Sequence, residues 1–108
     1  MNEWTHKEWL KEKNTNRTTA FYLYTPMCGT CQVASKMLDV VKELLPNLNM
    51  GKANLNYVQE IAALYQVESV PCLIITENGQ VTDKIYAFQS VPFLYEKLKV
   101  VDAHRRAW

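Results

Sequence analysis

Cys28-Gly29-Thr30-Cys31 stands where an apolar, β-branched and aromatic run hands over to a segment with helical periodicity. That junction constrains this chain more than any other feature. Thr18 to Tyr24 (TTAFYLY) carries almost no charge and reads as a buried strand, ended by Thr25-Pro26. Beyond the cysteines, Val33, Met37, Leu38, Val41, Leu44 and Leu45 recur at helical spacing until Pro46 closes the helix. Two cysteines two residues apart at a helix start can close a small disulfide ring without unwinding the helix. The first sulfur then faces outward near unpaired backbone N–H groups and the positive end of the helix dipole, which favours thiolate over thiol. Cys28 is thus the expected nucleophile. Cys31, one turn in and shielded, is suited to attack the mixed disulfide that Cys28 forms.

The rest of the chain frames this junction as one α/β domain over residues 1–108. Thr5 and Glu8 are spaced as a capping box and Trp4 and Trp9 as a hydrophobic staple, so an extra helix is expected from about His6 to Lys13, ending in Asn14-Thr15-Asn16. Asn49 to Leu55 reads as a short strand. Tyr57 to Tyr65 places Val58, Ile61, Ala62 and Tyr65 on one helix face, and Tyr57, Tyr65 and Tyr86 read as core or rim aromatics. Val70 to Thr76 is a second buried strand, and Asn78-Gly79 turns it into a hairpin with Gln80 to Tyr86. Ser90 caps a last helix with Pro92 in its first turn, running to about Ala103. The order α-β-α-β-α-β-β-α implies two parallel strands joined by a crossover, then an antiparallel hairpin: a mixed central sheet of about four strands flanked by helices.

Composition narrows the partners. A net charge of +1 offers no field for nucleic acid or an acidic ligand. Lys97, Lys99, Arg105 and Arg106 suit the negative end of the last helix. The N-terminal segment is charged throughout, and no stretch approaches the roughly 20 apolar residues that span a bilayer. A cytoplasmic location and no membrane partner are the expectations. Three cysteines, an odd number, argue against a structural disulfide framework. A zinc site would need two ligands beyond the pair, and only Cys72, His6 and His104 remain, so no metal and no cofactor are expected.

The pattern TPMCGTC after a strand, followed some forty residues later by Val70-Pro71 opening another strand and by the Asn78-Gly79 hairpin, resembles the thioredoxins from roughly Thr18 to Val101. The resemblance implies the thioredoxin fold and a protein-disulfide reductase that cycles Cys28 and Cys31 between dithiol and disulfide. It implies a cis peptide at Val70-Pro71 facing the pair, and substrate contacts at Met27, Gly29, Thr30, Val70 and Pro71. Disulfide-containing proteins are the implied substrates, and a thioredoxin-reductase-type protein the implied electron donor, with the chain working as a monomer.

The chain departs from the family pattern at several places. Met27 stands where tryptophan is common, and Thr30 where proline is. Tyr22 occupies the place of a buried aspartate whose usual lysine partner is matched by Lys52. A phenol with a pKa near 10, raised further by burial, is a poor base near pH 7. Release of the second cysteine's proton would then depend on hydroxide or on a water held by other groups. Lys36 replaces a kinking proline, and the glycine usual beside the groove is absent near Tyr86 and Ala87. Cys72 follows Pro71 where threonine is common; it is either a small buried residue or a thiol that approaches the pair. Tyr22 and Met27 keep a second function in view, a binding or adaptor module with a weak or regulatory disulfide.

Overall fold

The computed structural model describes residues 1–15 and 18–106. Asn16, and the side chains of His104, Arg105 and Arg106, lie outside what it describes, and with them those parts of the expectations for the first and last helices. The chain runs β1 (Asn2–Glu3), α1 (His6–Lys13), β2 (Thr19–Tyr24), α2 (Gly29–Leu44), β3 (Asn49–Asn54), a 3-10 turn (Leu55–Tyr57), α3 (Gln59–Leu64), β4 (Cys72–Glu77), β5 (Gln80–Ile85) and α4 (Val91–Arg106). The sheet has five strands in the order β1-β3-β2-β4-β5. β1 and β2 flank β3 in parallel, while β4 runs antiparallel to both β2 and β5.

The fifth strand corrects the expected count of about four. β1 is only two residues long, pairing Asn2 with Gly51 and Glu3 with Lys52. Its sequence is polar and exposed, so it carries no alternation to read. What holds it is the next residue. Trp4 donates its N–H to the Lys52 carbonyl at 2.8 Å and lays its indole over Gly51, where any Cβ would fall 2.0 Å from the ring. Trp4 also stacks on Trp9 at 6.4 Å between centroids, the staple expected from their spacing. The capping box is complete, with Glu8 N–H on Thr5 Oγ1 and Thr5 N–H on Glu8 Oε1, both at 3.1 Å.

Strands β2 and β4 are buried on both faces, which is why they read as continuous apolar runs. Period-two alternation sorts their side chains between two layers. Ala20, Tyr22, Leu73 and Ile75 pack with Leu38, Val41, Leu94 and Leu98 of α2 and α4. Phe21, Leu23, Cys72 and Ile74 pack with Trp4, Trp9 and Ile61 on the α1 and α3 side. Buried Thr19 and Thr76, paired across β2 and β4, hydrogen-bond to each other. At the far end, Asn78 and Gly79 both take positive φ, +53° and +82°, the geometry of a type I′ turn.

Local departures follow from packing. The segment expected as one helix from Tyr57 divides, because Val58 takes a non-helical conformation between the 3-10 turn and α3. Tyr57 consequently points into solvent, neither core nor rim, while Val58 and Ile61 carry the buried face. Leu38 and Val41 on α2, and Leu45 just past its end, enter the core as their spacing implies, but Val33 and Leu44 are exposed. With Lys36 in place of a proline, α2 is continuous for 16 residues.

Candidate active site

β2 delivers the chain through Thr25-Pro26 to Cys28, which is the N-cap of α2. An N-cap residue stays extended while its side chain accepts from the first free N–H groups. Here the acceptor is sulfur: Cys28 Sγ receives the Cys31 N–H at 3.1 Å. Thr30 Oγ1 lies 3.0 Å from the same sulfur, and against a thiolate the hydroxyl is the donor. The Cys28 pKa is lowered, first by the hydrogen bond with the Cys31 side chain and next by that of Thr30. The helix N-terminus adds to both. Cys28 is partly exposed and Cys31 only 2% exposed. Burial foremost, and then the hydrogen bond to Cys28, push the Cys31 thiol up to about 11, with a backbone hydrogen bond from Thr25 opposing both. The two sulfurs are thus driven in opposite directions by their positions at the end of and inside one helical turn.

The remaining expected residues divide between the site and its surroundings. Met27 is 95% exposed and Gly29 has nothing within 4 Å of where a Cβ would stand, so the approach to Cys28 is open. The Val70–Pro71 peptide bond is cis. Pro71, Gly29 and Thr30 wall an apolar groove of about 630 Å³ that continues along Val33 and Met37 of α2 to Phe88. The helical spacing of Val33 and Met37 is that of the buried face, and only the position of the β5–α4 connection shows that they face a groove instead. Tyr86, Ala87 and Gln89 of that connection complete it. Gln89 adopts a positive φ of +58°, a conformation nothing in its residue type announces.

Tyr22 lies fully buried behind Cys31, as its position relative to the pair implies. Its hydroxyl donates to the Cys31 carbonyl at 2.8 Å and accepts from Ser35 Oγ at 3.0 Å. Burial, foremost, raises its pKa well above the ordinary phenol range. Sequence reasoning misses Ser35; its place one helical turn beyond Cys31 is the available signal. Lys52 is in register with Tyr22 across β2 and β3, but its ammonium goes elsewhere, 3.9 Å from Glu3 and 5.7 Å from the centre of the Tyr24 ring. Cys72 is fully buried in the layer on the α1 and α3 side, the sheet face opposite α2. Burial pushes its thiol up to about 11, countered in part by Tyr86 and Lys84. In that layer it packs among Phe21, Leu23 and Ile74. Among the described residues, no group of three or more His, Cys, Asp or Glu side chains could hold a metal, and no helix is long and apolar enough to cross a membrane.

Comparison with known proteins agrees with this geometry. The Thioredoxin family profile matches residues 1–99. Thioredoxin-like protein YusE of Bacillus subtilis is 54% identical over 78 residues, which are 72% of this chain and 74% of that protein. Thioredoxin-like protein YdfQ of the same organism is 30% identical over 80 residues, covering 74% of this chain and 71% of its own. The structure of a mutant thioredoxin from Halobacterium salinarum superimposes with a TM-score of 0.82 over 94% of this chain and 89% of its own, at 19% identity, and shares the fold. A family profile over nearly the whole sequence, together with a relative sharing more than half of its aligned residues, shows that this chain belongs to the thioredoxin family, whose chemistry is thiol–disulfide exchange.

Proposed function

We propose that this protein reduces disulfides in protein substrates, with Cys28 as nucleophile and Cys31 as resolving cysteine. The single observation that supports this best is the placement of the two sulfurs: Cys28 Sγ caps α2 and accepts the Cys31 N–H at 3.1 Å, while Cys31 lies buried one turn inside. Reduced Cys28 attacks a substrate disulfide and releases one substrate thiol. Cys31 then attacks the Cys28 sulfur, releasing the second thiol and leaving a Cys28–Cys31 disulfide. A thioredoxin-reductase-type protein restores the dithiol.

The open rim at Met27, Gly29 and Thr30, and the backbone at Val70-Pro71, would receive an extended substrate segment by strand-like pairing. The groove beyond Pro71 suits an apolar side chain of that segment. The working unit in this reading is the whole chain, acting as a monomer in a reducing compartment such as the cytoplasm. Reduction of insulin disulfides with a thiol donor tests it. Catalysed precipitation of the insulin chains, abolished by Cys28→Ser, is the expected result. The absence of any acceleration by the parent protein would instead leave a binding module with a regulatory disulfide.

A further inference from the structure

Tyr22 presents a hydrogen-bond donor beyond what its backbone partner requires. The Cys31 carbonyl lies within α2, where a carbonyl already serves the N–H four residues on. The Tyr22 hydroxyl takes that carbonyl's remaining lone pair at 2.8 Å. Its own oxygen is held at 3.0 Å by Ser35 Oγ, which turns the O–H toward Cys31 and polarises it. The Cys31 sulfur belongs to the same residue as the bonded carbonyl, and the neighbouring Tyr22 hydroxyl favours its thiolate, against the burial that disfavours it. A buried phenol whose own pKa is raised keeps its proton throughout. It is a poor base and a permanent donor.

We infer that Tyr22 is a hydrogen-bond donor to the Cys31 thiolate, its hydroxyl turning from the Cys31 carbonyl to the Cys31 sulfur as that sulfur loses its proton. The inference rests on the redox reading of the pair. In the resolving step, Cys31 Sγ attacks Cys28 Sγ of the mixed disulfide. The Cys28–Cys31 bond forms, the bond from Cys28 to the substrate sulfur breaks, and the substrate sulfur leaves as thiolate. The Cys31 proton passes to solvent through a cleft of about 350 Å³ lined by Cys31, Ser35, Lys36 and Tyr24. The leaving thiolate takes an equivalent proton from solvent, so the step balances without a protein carboxylate. Tyr22 stabilises the attacking anion while Ser35 positions Tyr22.

The test uses the full chain with Cys28→Ser, in which residue-resolved alkylation of Cys31 is followed against pH, with and without Tyr22→Phe. Loss of one neutral donor should make the Cys31 acid constant about threefold to tenfold smaller. A more basic thiolate is also more nucleophilic, with a Brønsted coefficient of about 0.4–0.5, so resolution at neutral pH should slow only about twofold to threefold. Resolution is read in protein retaining both cysteines, as the second thiolate released from an aryl disulfide after Cys28 has reacted. Ser35→Ala should move both quantities in the same direction by less. A merely structural Tyr22 would change the melting temperature and leave the Cys31 pH profile in place, which overturns the inference. If Tyr22→Phe fails to fold, Ser35→Ala decides alone, and an unmoved Cys31 profile there overturns it too. The profile is measurable whether or not the protein reduces insulin, so failure of the donor role and failure of the reductase reading are separable.

Discussion

Alkylation of the reduced protein across pH should separate Cys28 from Cys31 by ionisation, and the structure supplies the size of the separation. With burial holding Cys31 at about 11, only about one Cys31 in a thousand is thiolate at about pH 8. Its labelling rate should therefore climb about tenfold per pH unit until near pH 11. Cys28, lowered by the Cys31 and Thr30 hydrogen bonds, should reach its plateau below the ordinary thiol range. The greater nucleophilicity of the more basic thiolate offsets this only in part. At a Brønsted coefficient of about 0.4–0.5, each tenfold loss of thiolate is met by about a threefold gain in reactivity. Ionisation and exposure together win. Cys28→Ser sharpens the test, because it removes a hydrogen bond and a charge that both raise Cys31. Cys31 should then label faster, yet its inflection should stay above the ordinary thiol value, since burial is the larger cause and remains. The assay is pulsed labelling with iodoacetamide and mass spectrometry of the separate peptides. Faster labelling of Cys31 than of Cys28 in the parent, or an ordinary inflection for Cys31 in Cys28→Ser, would refute the reasoning.

Three further outcomes are expected. Thr30→Val removes the hydroxyl 3.0 Å from Cys28 Sγ and should move the Cys28 labelling profile to higher pH; an unmoved profile would show that Thr30 does not hold the thiolate. Gly51→Ala drives a methyl to 2.0 Å from the Trp4 ring, an overpacking that should cost about 1–3 kcal/mol and lower the melting temperature by about 5–15 °C. Paired with Trp4→Ala in a double-mutant cycle, its cost should shrink, and strict additivity would mean the indole is not what excludes the methyl. Cys72→Ser places a hydroxyl in a fully buried apolar layer and should destabilise by about 1–3 kcal/mol in urea unfolding while leaving insulin reduction per folded molecule unchanged. A slower turnover at equal folded fraction would give Cys72 a part in the site.

Features set by neighbours in the chain were legible in the residues alone. The Thr5–Glu8 box, the Trp4–Trp9 staple and the Asn78-Gly79 turn each depend on backbone geometry within a few residues. The same holds for the position of Cys28 at the mouth of α2, where the cap and the dipole act over one turn. The family pattern extended this reach to Pro71 and Tyr22, whose distances along the chain carry meaning only within a known fold. Tertiary structure decided the rest. β1 has no periodicity of its own and exists because Trp4 closes over Gly51, a contact between segments some fifty residues apart. Lys52 is in register with Tyr22, yet a long flexible ammonium goes to the nearest carboxylate, and β1 brings Glu3 there. Cys72 and Leu73 are adjacent in sequence and face opposite layers, so the pleat, not proximity to Pro71, sets the surroundings of that thiol. Val33 has the helical spacing of a core residue, and it faces a groove because the connection from β5 to α4 leaves that flank of α2 uncovered. Periodicity states which residues share a face; only the arrangement of the other elements determines whether that face is covered.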